Sequence, residues 1–199
     1  VEPEAALVAA QAAQSHIGVA KALATDPEAA GLRKKTLDAL ASIHGVGDAA
    51  VAAWMLVDPE LMGVSNTKRD KESEEREEAE RLAALGLEAG ARVPAAVRSQ
   101  VKATSVDSKR RATRTLHDMI DRELTYMISF YRDVVAVQLG AQVSLINGDY
   151  AQAIQKVSAG IGPSEALYRI DTLSEARERL RSNVAPQLLM EAALSAMRQ

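Results

Sequence analysis

At 199 residues and 21.3 kDa the chain is long enough for one ample domain or two small ones. Hydrophobic residues make up 47% but aromatics only 3%, so the composition favours helices around an aliphatic core. Charged residues nearly cancel to a net −3, and cysteine is absent, which together exclude a global basic field, a disulfide scaffold, a thiol nucleophile and cysteine-ligated zinc. That usage fits a reducing compartment, and the expected location is cytoplasmic. No run of about 18 apolar residues exists, so no membrane partner is expected. The N-terminus has neither the basic start nor the apolar stretch of a secretory signal, and it opens on Val-Glu-Pro; the expectation is a fragment of a longer chain.

Residues 3 to 43 read as three short helices. Pro3 suits a first turn, Ser15 is placed to cap a segment beginning at His16, and Asp26-Pro27-Glu28 sets a capping carboxylate before a first-turn proline and an acid. The third helix carries Leu32, Leu37, Leu40 and Ile43 on its expected buried side and Arg33, Lys34 and Lys35 outside. Gly45-Val46-Gly47-Asp48 combines a helix stop with a new cap. The helix starting near Asp48 holds Val51, Trp54, Met55 and Val57 and ends or kinks at Asp58-Pro59. From Lys68 to Arg81, seven acids and five bases alternate, with Glu72 and Arg76, and Glu77 and Arg81, at salt-bridging spacing. This predicts a solvated helix rather than a cation chelator. Gly86, Gly90 and Pro94 mark a connector, and Ala95 to Val101 add a turn or two of helix.

Asp107 to Gly140 is the dominant element. Leu116, Ile120, Leu124, Met127, Tyr131 and Val134 are spaced 4, 4, 3, 4 and 3 apart, which lines them up on one face of a helix roughly 50 Å long. Asn147-Gly148-Asp149 predicts a turn ending in a cap for a helix from 150 to 159, and Gly160-Ile161-Gly162-Pro163 closes that helix and opens the next. The helix from 164 to 182 is expected to bury Leu167, Ile170, Leu173 and Leu180, and the last helix carries Leu188, Leu189 and Leu194. No strand and no internal repeat is evident. The fold class is all-α.

Few residues point to chemistry. His16, His44 and His117 are far apart; His117 and Asp121 lie one turn apart, but two groups do not make a metal site, and none is expected. Neither a phosphate-binding loop nor a nucleophile elbow is present, so no cofactor, small-molecule substrate or catalytic residue is expected. More informative are Lys109, Arg110, Arg111 and Arg114, cations at the start of the long helix, where the macrodipole favours negative charge. Their partner is either the acidic helix upstream or, outside the chain, a phosphate backbone or an acidic subunit. Tyr126, Phe130 and Tyr131 read as core anchors rather than a base-stacking platform. Arg132 and Asp133 are adjacent and point apart, so each is expected to find its partner on another helix or another chain.

Lys109-Arg-Arg-Ala-Thr-Arg114, Phe130-Tyr-Arg-Asp133, Val137-Gln-Leu-Gly140, Leu145-Ile-Asn147 and the segment from Ala176 to Pro186 resemble the C-terminal domain of the delta-prime subunit of the bacterial DNA polymerase III clamp loader. Ser15-His-Ile-Gly-Val-Ala-Lys-Ala-Leu23 is similar to the sensor-2 helix of an AAA+ lid. The resemblance implies a three-helix lid over 1–46, connecting helices with the acidic segment over 47–92, and a helical collar over 93–199. It also implies a nucleotide-binding domain preceding residue 1, and a degenerate sensor-2 position at Gly18 with Lys21 as the nearby cation, as befits a non-hydrolysing subunit. The expected function is subunit assembly in sliding-clamp loading, with the gamma/tau and delta subunits as partners and DNA touched only indirectly. Candidate partner contacts are Lys109, Arg110, Arg111, Arg114, Tyr131, Arg132, Asp133 and Gln138. The alternative is a helical DNA-binding module built on the basic start of the long helix.

Overall fold

A computed structural model describes residues 2–14, 16–61, 76, 79, 83, 95–182 and 184–198, with 95–109 described by backbone alone. Among these residues the chain is all-helical: α1 (Pro3–Ala12), α2 (Ile17–Thr25), α3 (Pro27–Ala41), α4 (Val46–Val57), α5 (Ala95–Gln138), a 3-10 turn (Gly148–Tyr150), α6 (Ala151–Gly160), α7 (Pro163–Leu180) and α8 (Pro186–Ser195). Arg76, Ala79 and Ala83 are also helical. The remainder of the acidic stretch and the glycine-proline connector lie outside the described residues.

Local signals explain most helix ends. Pro3, Pro27, Pro163 and Pro186 all fall in first turns, where a missing N–H costs nothing. Asp26 caps α3, its carboxylate accepting the Glu28 N–H at 2.9 Å. His16, not a residue before it, caps α2: its Nδ1 accepts the Val19 N–H at 3.3 Å. Ser15, the expected cap, lies outside the described residues. α4 begins two residues before Asp48, whose carboxylate reaches back to the N–H groups of His44 and Gly45 at 3.0 Å each. Asp58, extended ahead of Pro59, ends it.

The long helix is longer than its sequence pattern indicates. Residues 95 to 101 are not a separate turn but its opening, so α5 runs 44 residues without a break, about 66 Å at 1.5 Å per residue. It stops at Gly140, whose φ of +61° places it in the left-handed region. The Ala141 N–H then bonds the Ala136 carbonyl at 2.9 Å and the Gly140 N–H bonds that of Val137 at 3.1 Å, the paired closure of a Schellman motif.

Ile120, Leu124, Met127, Tyr131 and Val134 are all buried, with Leu116 packed at the edge, as their spacing requires. α5 packs most extensively on α7 and also against α3 and α6, while α4 packs on α8. One apolar cluster takes in Leu32, Leu37 and Leu40 of α3, Ala53 and Leu56 of α4, the α5 stripe, and Leu173, Met190 and Leu194 of the last helices. Helices from both halves of the chain thus share one interior. Phe130 and Tyr131 stand edge to face at 5.6 Å between centroids, and with Tyr126 they are core anchors.

Several expected orientations are reversed. Arg33, expected outside, is buried, because it has found acceptors on a distant turn. Leu167, expected inside, is 51% exposed: α7 turns Ala166, Arg169 and Leu173 inward instead, while α8 buries Leu189 and Met190 and leaves Leu188 63% exposed. Asp149 is not a helix cap. It lies within the 3-10 turn and its carboxylate is taken by Arg33.

Candidate assembly surface

The second half of α5 projects polar groups into the interior, and a loop closes over them. Asp133 is fully buried. Its carboxylate accepts the N–H groups of Ile146 at 3.1 Å and Asn147 at 2.7 Å, and the Asn147 side-chain amide at 3.0 Å. The same Asn147 amide donates to Ser129 Oγ at 3.0 Å, and its carbonyl accepts from Arg33 Nη2 at 2.9 Å. Arg33 also forks onto Asp149 at 2.6 and 2.8 Å and stacks over the Tyr150 ring at 5.7 Å. The Tyr150 hydroxyl donates to Asp38 at 2.8 Å, with the Lys34 carbonyl 3.2 Å away. Burial and the bond to Asp38 raise its pKa. Burial works to raise the Asp38 carboxyl too, but hydrogen bonds from Lys34 and Tyr150 hold it below its ordinary value. The result is a polar seam between α3, α5 and the 145–150 turn.

Arg132 and Asp133 do pair, at 2.7 Å, against the expectation that neighbours on a helix point apart. Asp133 faces inward, while the half-exposed arginine is long and flexible enough to curl back to it; its Nη1 also reaches the Ser144 carbonyl at 3.4 Å. Tyr131 is buried, and Arg169 Nη1 donates to its hydroxyl at 3.1 Å. Arg169 also donates to the carbonyls of Met197 and Arg198, so this buried guanidinium ties down the C-terminal turn. Gln138 donates to the carbonyls of Ile161 at 2.7 Å and Ser158 at 3.3 Å, closing the α6–α7 junction onto α5. Of the candidate contacts, then, Tyr131, Arg132, Asp133 and Gln138 bond within the chain, and of these four only Arg132 is half-exposed.

The basic start is different. Arg110, Arg111 and Arg114 are exposed on α5; Arg110 has partners of its own, and the Lys109 side chain lies outside the described residues. One turn further on, His117 is half-buried, and Asp121 gives both oxygens to Arg177 at 2.8 and 2.9 Å, which raises the arginine's pKa. That pairing takes up the carboxylate of the only His-Asp pair the sequence singles out. No cluster of three potential metal ligands occurs among the described residues. Gly18 and Lys21 lie exposed near the start of α2.

Apolar side chains also reach solvent. Val51, Trp54 and Met55 on α4 follow i, i+3, i+4 spacing, with Trp54 57% exposed, and Val51 and Met55 border a groove of about 560 Å³ between α3 and α4. Tyr168 and Leu167 on α7 and Leu188 on α8 add further exposed patches. Among the described residues no helix is long and apolar enough to cross a membrane.

The seam was largely invisible in the sequence because its partners are more than a hundred residues apart: Arg33 to Asn147 spans 114 positions. Glu123 was also passed over. It is 0% exposed, and neither carboxylate oxygen has a hydrogen-bond partner among the described residues. A signal for it exists: it stands three residues after Ile120 and four before Met127, on the apolar stripe itself.

Residues 112–199, a little under half of the chain, match the family described as DNA polymerase III, delta subunit, C terminal. The matched span runs from the packed part of α5 to the end of α8, and it supports a clamp-loader subunit without separating delta from delta-prime. Comparison with curated proteins and with solved structures gave no match.

Proposed function

We propose that this chain is the helical assembly portion of a DNA polymerase III clamp-loader subunit, acting in replication by pairing with neighbouring subunits rather than by catalysis. The match over residues 112–199 carries the reading. The exposed Trp54 and Tyr168, aromatic side chains of the kind enriched at protein contacts, support it. In this reading α1–α3 are the lid, residues 47–92 connect, and α5–α8 form the collar. Arg111, Arg114 and Arg132 are its outward contacts, and DNA is touched only through the assembly.

The finer assignment is delta-prime, supported by the segments at 109–114, 130–133 and 137–140 and by Gly18 at the sensor-2 position. The two subunits occupy different places, so partner choice separates them. A delta-prime chain co-elutes with gamma/tau and delta collar domains at micromolar concentration, whereas a delta chain does not take up delta. Co-elution with none of these would overturn the assembly reading altogether. The exposed Arg111 and Arg114 favour a second reading, a DNA-binding helical module, which the steep salt dependence of phosphate contacts distinguishes.

A further inference from the structure

α1 and α2 are attached to the rest of the protein by very little apolar burial. α2 contains no buried residue, and α1 buries only Ala9 and Ala12, followed by Ala13. Leu7 is exposed and Ile17 is 86% exposed. α3, directly after them, seats Leu32, Leu37 and Leu40 in the core. Burying a methyl group removes far less apolar surface from water than burying a leucine side chain, so the contacts holding α1 and α2 are weak ones. Segments held in this way open locally at the lowest free energy.

Two surfaces receive these helices: α3, and the 3-10 turn at 148–150, against which α1 lies. Gln11 Oε1 comes within 3.5 Å of the point where a side chain on Gly148 would begin. Asp133 of α5 holds the start of that turn by the N–H groups of Ile146 and Asn147, and α3 holds its end. Arg33 grips it through Asp149 and Asn147, and Tyr150 ties it to Asp38 and Lys34 of α3. Between α2 and α3 the chain is extended at Asp26, with φ −109° and ψ 108°, immediately before Pro27. A pivot there would leave α3 in place.

We propose that α1 and α2 form a hinged arm docked on the 148–150 turn, with Arg33 as the positioning residue that sets the dock. The arm swings about Asp26 without unfolding α5 to α8. This inference stands on packing and hydrogen bonding and does not rest on the clamp-loader reading.

Amide hydrogen exchange on the full chain tests it. In Arg33→Met, and more mildly in Asp149→Asn, α1 and α2 amides exchange about tenfold faster or more, the scale of a lost charged hydrogen bond. Amides of the buried half of α5 and of α7 keep their wild-type rates. Asp149→Asn, which leaves Arg33 itself unchanged, gives the same regional pattern and decides the matter if Arg33→Met does not fold. Equal acceleration in every helix would show the seam to be global stabilisation, and unchanged α1–α2 rates would show that the turn does not hold the arm; either result overturns the proposal.

Discussion

Glu123 is a costly residue to bury. Burial alone pushes its pKa well above the usual 4.5, disfavouring the charged form with no partner to offset the loss of water. Below that usual value both folded and unfolded chains are protonated there. As pH rises through it the unfolded chain ionises while the folded one resists, so stability falls with rising pH until the raised folded value is reached. Glu123→Met is therefore expected to stabilise the protein at pH 7 by about 1–3 kcal/mol in chemical denaturation, with the gain shrinking toward pH 4; an equal gain at both pH values would refute the titration. Asp133 is the opposite case, a buried carboxylate with every bond made. Asp133→Ala strands the N–H groups of Ile146 and Asn147 and is expected to cost about 3–5 kcal/mol in the same measurement. A loss under about 1 kcal/mol would mean that the loop finds other acceptors. Neither environment was legible in the sequence beyond Glu123's place on the stripe. Arg33, flanked by the exposed Lys34 and Lys35, looked like a surface cation, and nothing local announces partners that only the fold brings near.

Helices are the scale at which the sequence was most readable, because the signals that begin and end them are local. Asp26-Pro27, Gly140 and Gly160 to Pro163 act within a turn of where they stand, and the structure follows each. Which face a helix buries was less legible where its apolar residues exceed what one contact can cover. α7 and α8 each carry more leucine than their neighbours can bury, so Leu167 and Leu188 remain outside. Gly140 offers an element-scale test. Its left-handed φ strains any side chain, so Gly140→Ala is expected to destabilise by about 1 kcal/mol and to fray the last turn of α5. Unchanged stability together with unchanged exchange at Leu139 to Ala141 would contradict the Schellman closure as an anchor of the 141–147 loop.

For the whole molecule, the shared core carries a mechanical consequence. α3 and α4 pack into the same interior as α5 to α8, so a force applied to α3 is transmitted to the long helix through Arg33 and the 145–150 turn rather than absorbed by a linker. The proposed assembly function calls for such stiffness, and the groups it would offer to partners include the apolar patches on α4, α7 and α8 and the exposed Arg111 and Arg114 at the start of α5. On the proposed assembly function these surfaces meet protein before they meet nucleic acid. The most direct measurement is binding of the chain to duplex DNA and to gamma/tau and delta collar domains, each titrated from 50 to 200 mM salt. The expected result is micromolar binding to the collar domains that changes little over that range, with DNA binding no tighter than non-specific. Tight DNA binding that falls roughly 40-fold, as about three phosphate contacts require, with no binding to the collar domains, would contradict it.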